Sequence, residues 1–222
     1  MPTQGHPADV YILSGVRTGF GSFGGTLKDL SATDLGVLAA KGAIARAGLQ
    51  PADVDHVVFG NALQTSADAI YLARHVALRS GCPVETPAVT VNRLCGSGFE
   101  AIIQGAQQIL LGESAAVLVG GAESMSQAPH VVRGARWGIR LGPPAPLEDA
   151  LWEALKDSQC GRSMAETAEK LATQYGLARS AVDEVALLSQ QRAREAWGSG
   201  DYRDEVIPVP ITNRKTKLAE PW

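Results

Sequence analysis

Short apolar runs and helix-like apolar spacing alternate along the first 120 residues of the chain. Continuous apolar runs that are bounded by glycine, proline or polar residues predict buried strands. The predicted strands lie at 10–13, 57–59, 88–91 and 115–119. Because strands that alternate with helices form mainly parallel sheets covered on both faces, the predicted fold class is α/β.

Three helices are predicted, one between each pair of successive strands. The first begins after Ser31, a suitable N-cap, and ends at Gly48. The second covers about 68–79 and ends before Gly81 and Pro83. The third has the strongest amphipathic pattern, because its apolar residues share one helical face. These residues are Phe99, Ile102, Ile103, Ala106, Ile109 and Leu110.

The pattern changes after Met125. Residues 126–146 are rich in proline, glycine and arginine and predict an extended loop. A further strand is predicted at 206–211, and its prolines confine it to a sheet edge. Three helices are predicted between the loop and this strand, near 147–157, 163–175 and 180–197, the last with Ser180 as its N-cap.

We therefore predict two domains. Residues 1–125 form a core domain with a mainly parallel sheet. Residues 126–222 form a mostly helical loop domain. The sequence stops at Trp222 without a closing element, so we expect the second domain to be incomplete.

Composition and charge exclude several function classes. The formal net charge of -3 provides no general attraction for nucleic acid. No apolar stretch reaches the roughly 18 residues of a membrane span, and the N-terminus has no basic segment followed by an apolar run. We expect no nucleic-acid partner, no membrane insertion and a cytoplasmic location.

The cysteines point away from a structural role. Cys82, Cys95 and Cys160 are odd in number and have no paired spacing, so neither a disulfide framework nor a metal site is expected. Reduced thiols suit a cytosol-like compartment. One of the three lies in a sequence context that suits a nucleophile.

That cysteine is Cys95, in a turn between a predicted strand and a predicted helix. Unpaired N–H groups at a helix N-terminus favour negative charge, and the thiolate is the reactive form of cysteine. Gly96 and Gly98 leave the sulfur open and let a substrate approach the backbone. The Cys95 N–H can also donate to a carbonyl oxygen above the sulfur. Glycine also serves packing at such joints, so a small structural cysteine fits this context equally well.

The turn Asn92-Arg93-Leu94-Cys95-Gly96-Ser97-Gly98 resembles the nucleophile turn of thiolases, which make or cleave 3-ketoacyl-CoA. Other segments resemble thiolase landmarks in the same order, and together they cover nearly the whole chain. These segments are Ser14-Gly15-Val16-Arg17-Thr18, Phe20-Gly21-Ser22-Phe23-Gly24-Gly25, Phe59-Gly60-Asn61, Ala73-Arg74-His75, Gly120-Gly121-Ala122-Glu123-Ser124-Met125-Ser126 and Met164-Ala165-Glu166-Thr167-Ala168-Glu169.

The resemblance implies the N-terminal half of the layered thiolase fold and an acyltransferase that acts on acetyl-CoA or 3-ketoacyl-CoA. Cys95 would become acylated, and its backbone N–H would help to hold the thioester oxyanion. Ser163 and Met164 would lie near the pantetheine arm. Ser163 stands where many short-chain members have histidine, which leaves medium-chain substrates open. No cofactor is implied besides the coenzyme A of the substrate.

A basic cluster near the end of the chain has two interpretations of equal weight. Arg214 and Lys215 could meet the coenzyme phosphates, together with Lys217. The same residues could instead form a solvated strand end.

The resemblance also implies groups from a second half of the fold. Thiolases need a histidine in a Gly-His-Pro turn, an asparagine that positions water and a second cysteine, all from that half. Gly5-His6-Pro7 matches the histidine motif in letters, but it lies before the first predicted strand and is interpreted as a flexible tail. General acid–base assistance of this kind contributes about 10²–10⁴-fold. We therefore expect little turnover from the 222 residues alone, and either self-association or a complementary C-terminal half.

Two alternatives remain open. A ketoacyl synthase or a hydroxymethylglutaryl-CoA synthase would share the cysteine turn, although the segments around Glu123 and Met164 favour a thiolase. A non-catalytic or split-enzyme subunit that holds a partner is the rival from another class. An open sulfur at Cys95 argues against a pure scaffold. A dinucleotide site is disfavoured because no Gly-x-Gly-x-x-Gly motif follows the first predicted strand.

Overall fold

The computed structural model describes residues 9–212 and 219–221. These residues fall into two units, one reaching Gln127 and including the segment from Glu205 onward, the other spanning Ala128–Asp204. Gly5-His6-Pro7, Arg214 and Lys215 lie outside the described residues.

A three-stranded parallel sheet forms the centre of the first unit. Its strands lie in the order β3 (Ala88–Val91), β2 (His56–Gly60) and β4 (Val117–Gly121), so the middle strand is the earliest of the three in the sequence. The predicted α/β class with a mainly parallel sheet is confirmed. The elements up to the end of this sheet are β1 (Arg17–Thr18), α1 (Ala32–Arg46), β2 (His56–Gly60), α2 (Leu72–Arg79), β3 (Ala88–Val91), α3 (Ser97–Leu110) and β4 (Val117–Gly121).

The middle strand β2 is buried on both of its faces. Val57 and Phe59 pack with buried residues of α1 and α2, whereas Val58 packs with Ala101 of α3. Alternate residues of a strand point to opposite faces, so a strand between two helical layers must be apolar at every position. This is why β2 shows a continuous apolar run rather than an alternating one.

The start of α1 agrees with the sequence. Ser31 is the N-cap, and its hydroxyl accepts a hydrogen bond from the Asp34 N–H at 3.1 Å. The Asp34 carboxylate in turn accepts one from the Ser31 N–H at 3.1 Å, which completes a capping box. Gly48 follows the helix with a φ of 71°.

The orientation of α3 differs from the expected one. The face that packs on the sheet carries the small residues Ser97, Ala101 and Gly105. A Cβ built on Gly105 would lie 2.5 Å from Val119 Cγ1, so glycine lets the helix approach the sheet closely. The predicted apolar face is directed elsewhere and is partly or largely exposed. Its exposed members include Phe99, Ile102, Ile103 and Leu110, which we call the α3 stripe.

Two predicted strands need correction. Residues 10–13 form no strand, and Ile12 is 83% exposed. An apolar run becomes a strand only when a neighbouring strand pairs with it. Among the described residues, no strand pairs with residues 10–13. The strand predicted at 115–119 starts two residues later, at Val117. Ala115 and Ala116 instead donate their N–H groups to the Asp55 carboxylate.

The second unit has three α-helices, one 3₁₀ turn at Ala135–Trp137 and two short antiparallel strand pairs. The predicted helices near 163–175 and 180–197 are confirmed, whereas the helix predicted near 147–157 is limited to Ala150–Ala154, with a short strand on each side. The N-cap of the last helix is Ala178, not Ser180, which lies within the helix. None of the helices in the described ranges is long and apolar enough to cross a membrane. The elements are β5 (His130–Val131), β6 (Glu148–Asp149), α4 (Ala150–Ala154), β7 (Lys156–Asp157), β8 (Arg162–Ser163), α5 (Met164–Tyr175) and α6 (Arg179–Ser199).

The segment after Asp204 joins the first unit, although the sequence assigned it to a domain of residues 126–222. Its first strand, β9 (Val206–Ile207), pairs in parallel with β1. The single strand predicted at 206–211 is divided, and β10 (Pro210–Thr212) pairs antiparallel with β11 (Ala219–Pro221). Strand pairing over a long sequence separation explains why the boundary did not follow from local composition.

Candidate active site

Cys95 lies between β3 and α3, as the sequence predicts. The helix begins two residues later at Ser97, with Gly96 as its N-cap residue. The Cys95 side chain is exposed, so a substrate can reach the sulfur. Leu94, immediately before it, has a φ of 48°. A leucine adopts this left-handed conformation only where surrounding contacts hold it.

Side chains and backbone groups of the turn hold this conformation. The Leu94 N–H donates to Asn92 Oδ1 at 2.9 Å. The Ser97 hydroxyl accepts from the Arg93 N–H at 2.9 Å and donates to the Leu94 carbonyl at 2.6 Å. The Gly96 N–H donates to the Arg93 carbonyl at 3.0 Å. Hydrogen bonds thus fix the residues on both sides of the cysteine.

The end of β2 meets the start of α3 in close contact. A Cβ built on Gly60 would lie 2.7 Å from Ser97 Cβ and 2.9 Å from the Ser97 carbonyl oxygen. Any larger residue would push the helix N-terminus away from the sheet. Glycine at position 60 therefore places the cysteine turn against the carboxyl edge of the sheet.

A carboxylate joins the two loops that follow β2 and β4. Glu123 Oε2 accepts the Ala62 N–H at 2.9 Å, and Oε1 accepts the Leu63 N–H at 3.1 Å. Glu123 Oε1 also accepts from Asn61 Nδ2 at 2.8 Å. Asn61, which is 5% exposed, donates from the same nitrogen to the Ala122 carbonyl at 2.9 Å. Bonds to a charged acceptor are stronger than neutral ones, so this is a firm connection.

Asn61, Glu123 and Cys95 all follow parallel strands of one sheet. The carboxyl ends of such strands lie at the same edge, which is the usual place for a site in an α/β fold. The segments that contain Asn61 and Glu123 resemble thiolase landmarks, but their sequence alone indicates no role for these two residues. Their position directly after predicted parallel strands is the signal that would have found them.

Electrostatic contacts continue into the first turn of α3. The Arg93 guanidinium contacts Glu100 Oε2 at 2.6 Å, and Gln104 donates to Glu100 Oε1 at 2.9 Å. Hydrogen bonds from Gln104 and then Arg93 lower the pKa of Glu100 below its ordinary value. A carboxylate in this turn also suits the helix dipole. The pair anchors Arg93, whose N–H is part of the cysteine turn.

The other two cysteines have different surroundings. Cys82 is buried, and burial raises the pKa of its thiol. Cys160 is exposed on the turn between β7 and β8, where its Sγ lies 3.5 Å from Asp157 Oδ2. All three thiols are free. Cys160 therefore provides an exposed thiol for comparison with Cys95.

The remaining predicted site residues belong to the second unit or lie outside the described residues. Ser163 is the N-cap of α5, where its hydroxyl accepts the Glu166 N–H at 3.2 Å. Met164 is the first residue of that helix and is 52% exposed. Arg214 and Lys215 lie outside the described ranges. A shallow groove runs along α5 and is lined by Arg162, Ala165, Glu166, Glu169, Lys170, Thr173 and Gln174.

Comparison with known proteins decides the family. The family described as "Thiolase, N-terminal domain" matches residues 10–220. The chain belongs to the thiolase family. Human mitochondrial 3-ketoacyl-CoA thiolase is 50% identical over 208 residues, which are 94% of this chain and 52% of that protein. The beta-ketothiolase BktB of Cupriavidus necator is 46% identical over 93% of this chain and 52% of its own length.

Solved thiolase structures have the same fold. Human mitochondrial 3-ketoacyl-CoA thiolase in complex with CoA has a TM-score of 0.90 and 48% identity, over 95% of this chain and 52% of that one. Bacillus anthracis acetyl-CoA acetyltransferase has a TM-score of 0.89 and 38% identity, over 95% and 53%. The thiolase-like fold predicted from the sequence is confirmed. The chain spans about half the length of the curated thiolases that it matches.

Proposed function

We propose that this chain supplies the nucleophile of a thiolase, with Cys95 as the residue that accepts an acyl group from a coenzyme A thioester. The observation that carries the proposal is the exposed Cys95 side chain in a strained turn at the mouth of α3. A buried structural cysteine at a strand–helix joint would have no route to a substrate. Membership of the thiolase family supports the same role.

The proposed step is an acyl transfer. The Cys95 thiolate adds to the thioester carbonyl carbon, and the oxygen takes the negative charge. Collapse of this intermediate breaks the bond to the coenzyme A sulfur, which leaves as a thiol once protonated. The Cys95 N–H, at the start of the helix, would be one of the oxyanion donors, and preorganised donors of this kind stabilise developing charge strongly. The resulting acyl-cysteine would pass its acyl group to a second substrate.

Acyl transfer from a coenzyme A thioester is the condensing direction, and we propose a 3-ketoacyl-CoA, rather than acetoacetyl-CoA alone, as the product of the whole enzyme in this direction and as its substrate in the reverse one. Identity is 50% to human mitochondrial 3-ketoacyl-CoA thiolase and 40% to the acetyl-CoA acetyltransferase of Cupriavidus necator. Ser163 supports the same proposal, because many short-chain thiolases have a histidine at that position. Here the Ser163 hydroxyl is engaged in a capping box with Glu166.

Coenzyme A contacts are proposed for the start of α5. Ser163 and Met164 would lie along the pantetheine arm, and the half-exposed Met164 side chain offers it apolar surface. Arg214 and Lys215 would meet the phosphates as point charges or a fork. No other cofactor enters the proposal, and a cytoplasmic location stays a prediction.

We also propose that the chain acts together with a complementary C-terminal half or a second copy. The chain spans about half the length of its relatives. In the α3 stripe, the Phe99 residue is 75% exposed. Exposed apolar patches of this kind mark interaction surfaces. Without the acid and base groups of a second half, turnover by the chain alone should be lower by about 10²–10⁴-fold.

Thiol chemistry tests the nucleophile. Iodoacetamide labelling, followed by peptide mass spectrometry, should modify Cys95 faster than Cys160, although both are exposed, and Cys82 most slowly. Incubation with acetyl-CoA should place an acetyl group on wild-type protein and on Cys160→Ser, but not on Cys95→Ser. Acetylation that survives in Cys95→Ser would contradict the proposal.

The second candidate is a non-catalytic or split-enzyme subunit, which the exposed α3 stripe favours. A scaffold would label Cys95 and Cys160 at equal, slow rates. A split enzyme would show a fast Cys95 and gain thiolase activity when a C-terminal half is added. An ordinary enzyme rate from the 222 residues alone would exclude both of these alternatives.

A further inference from the structure

Two carboxylates join β2 to β4, one at each end of the strand pair. At the amino end, Asp55 Oδ2 accepts the N–H groups of Ala115 and Ala116 at 2.8 and 3.0 Å. At the carboxyl end, Glu123 accepts the N–H groups of the loop after β2. The two contacts have similar chemistry, but only the second lies at the edge that carries Cys95.

A chain of hydrogen bonds leads from Glu123 to the cysteine turn. The Ala62 N–H is held by Glu123 Oε2 at 2.9 Å. The carbonyl of Ala62 accepts from Asn92 Nδ2 at 3.2 Å, so Asn92 is bonded to the loop that Glu123 holds. Asn92 Oδ1 accepts the Leu94 N–H at 2.9 Å. Glu123 is therefore connected, through Ala62 and Asn92, to the residue before Cys95.

The last residue in this chain is the strained one. Leu94 has a φ of 48°, the one positive φ of a non-glycine residue among the described residues. A conformation of this kind persists only when surrounding contacts over-determine it. The Asn92 side chain is one such contact, and its own orientation depends on the Ala62 carbonyl. Loss of the Glu123 contact should thus let the turn relax.

We propose that Glu123 and Asn92 are positioning residues that hold the Leu94–Cys95 turn, and with it the sulfur, at the start of α3. The proposal rests on the proposed role of Cys95 as the nucleophile. Neither residue touches the reacting atoms in this assignment. Glu123 acts on the loop of Ala62, and Asn92 transmits the position of that loop to the Leu94 N–H.

The first test is Glu123→Gln, with Asp55→Asn as the matched control. The glutamine offers one acceptor oxygen in place of two and turns an NH₂ group toward backbone N–H donors. The rate of Cys95 alkylation by iodoacetamide, relative to Cys160 in the same sample, should fall about fivefold, because a sulfur that moves away from the helix N-terminus loses the stabilisation of its thiolate there. Asp55→Asn makes the same chemical change at the other end of the strands and should leave this ratio unchanged.

A second measurement does not depend on sulfur chemistry. Hydrogen–deuterium exchange at the Leu94 amide should become faster in Glu123→Gln and in Asn92→Ala, and stay as in wild type in Asp55→Asn. The double variant of Glu123 and Asn92 should exchange no faster than Asn92→Ala alone, because both changes break one chain of contacts. Glu123→Asp keeps two acceptor oxygens and should partly restore both readouts.

The outcomes separate this proposal from the one on which it rests. If iodoacetamide modifies wild-type Cys95 no faster than Cys160, the nucleophile proposal fails. Hydrogen–deuterium exchange at the Leu94 amide still decides the positioning role in that case. Unchanged Leu94 exchange in Glu123→Gln and Asn92→Ala overturns the positioning role, as does an equal effect of Asp55→Asn. If Glu123→Gln does not fold, Asn92→Ala and Glu123→Asp provide the same comparison.

Discussion

The hydroxyl of Ser97 donates a 2.6 Å hydrogen bond to the carbonyl of Leu94, the residue that precedes Cys95. The same hydroxyl accepts the Arg93 N–H at 2.9 Å, and Ser97 is only 6% exposed. Ser97 thus closes the cysteine turn from the helix side, while Asn92 closes it from the strand side.

Ser97→Ala should both destabilise the protein and slow the labelling of Cys95. The Arg93 N–H and the Leu94 carbonyl lose a buried partner, which should lower the free energy of unfolding by about 1–2 kcal/mol. Urea unfolding and iodoacetamide labelling measure the two effects. Ser31→Ala removes the N-cap hydroxyl of α1. This change should lower the free energy of unfolding by a similar amount and leave the labelling rate of Cys95 unchanged. Equal labelling of Cys95 in both variants would contradict this role of Ser97.

Gly105→Ala should destabilise the first unit. The added Cβ would lie 2.5 Å from Val119 Cγ1 and 3.3 Å from Val117 Cγ1, so helix and sheet must separate. We expect a cost of about 1–3 kcal/mol for this overpacking, larger than the gain of about 1 kcal/mol in helix propensity.

Gly98→Ala provides the matched control in the same helix. No atom lies within 4 Å of a Cβ built there, so only the propensity gain remains and stability should rise by up to about 1 kcal/mol. Thermal unfolding of the two variants compares them directly. A Gly105→Ala protein as stable as Gly98→Ala would show that α3 does not need its close approach to β4.

The order of strands and helices from α1 to β4 was predictable because both signals are local. The run Val57-Val58-Phe59 indicated a strand buried on both faces, and the structure places Val58 opposite its two neighbours. Ser31 and Gly48 marked the ends of α1 through capping and a positive φ. Features of this kind depend on a few adjacent residues.

The orientation of α3 was not predictable from its amphipathic pattern. The larger apolar residues, such as Phe99 and Ile103, indicated the buried face, yet the sheet packs against Ala101 and Gly105. Close approach to Val119 requires small residues, and this requirement depends on the tertiary contact.

The candidate site was predictable in part for a similar reason. Cys95 was identified from the turn in which it lies. Glu123 accepts its hydrogen bond from Asn61, 62 residues earlier in the chain, so its role appears only when β2 and β4 are paired. The pairing of strands decides which loops come into contact, and local sequence patterns do not reveal that pairing.

The contact of Asp55 with the start of β4 should make stability depend on pH. Hydrogen bonds from the Ala116 and Ala115 N–H groups lower the pKa of Asp55 below its ordinary value. The ionised carboxylate therefore stabilises the folded state above the unfolded pKa of about 3.9, and this contribution is lost as pH falls through the lower folded pKa.

Asp55→Asn should remove that part of the pH dependence. The difference in unfolding free energy between wild type and Asp55→Asn should be largest above about pH 5 and should shrink below about pH 3, as urea titrations at both values would measure. Glu113→Gln changes another exposed carboxylate, two residues before Ala115 in the sequence, and serves as the control. A wild-type advantage that grows on acidification would contradict the sign derived from the Asp55 contacts.

The α3 stripe should govern self-association of the isolated chain. Ile103 is 47% exposed and lies beside Phe99 and Ile102, which are 75% and 45% exposed. Aspartate at position 103 places a charge in this apolar surface, and burying an unpaired charge in an interface is costly. Because Ile103 is exposed, the folded chain itself should lose little stability. Sedimentation velocity should therefore show weaker association for Ile103→Asp than for wild type.

Val185→Asp is the matched control for this prediction. Val185 is 68% exposed on α6, and the substitution adds the same charge to another apolar position. Net charge changes equally in the two variants, so a general effect of charge repulsion would weaken association in both. Weaker association only in Ile103→Asp assigns the contact to the α3 stripe. Ile103→Asp should then also fail to gain activity when a C-terminal half is added. A charge in the α3 stripe would oppose docking of a C-terminal half as much as docking of a second copy.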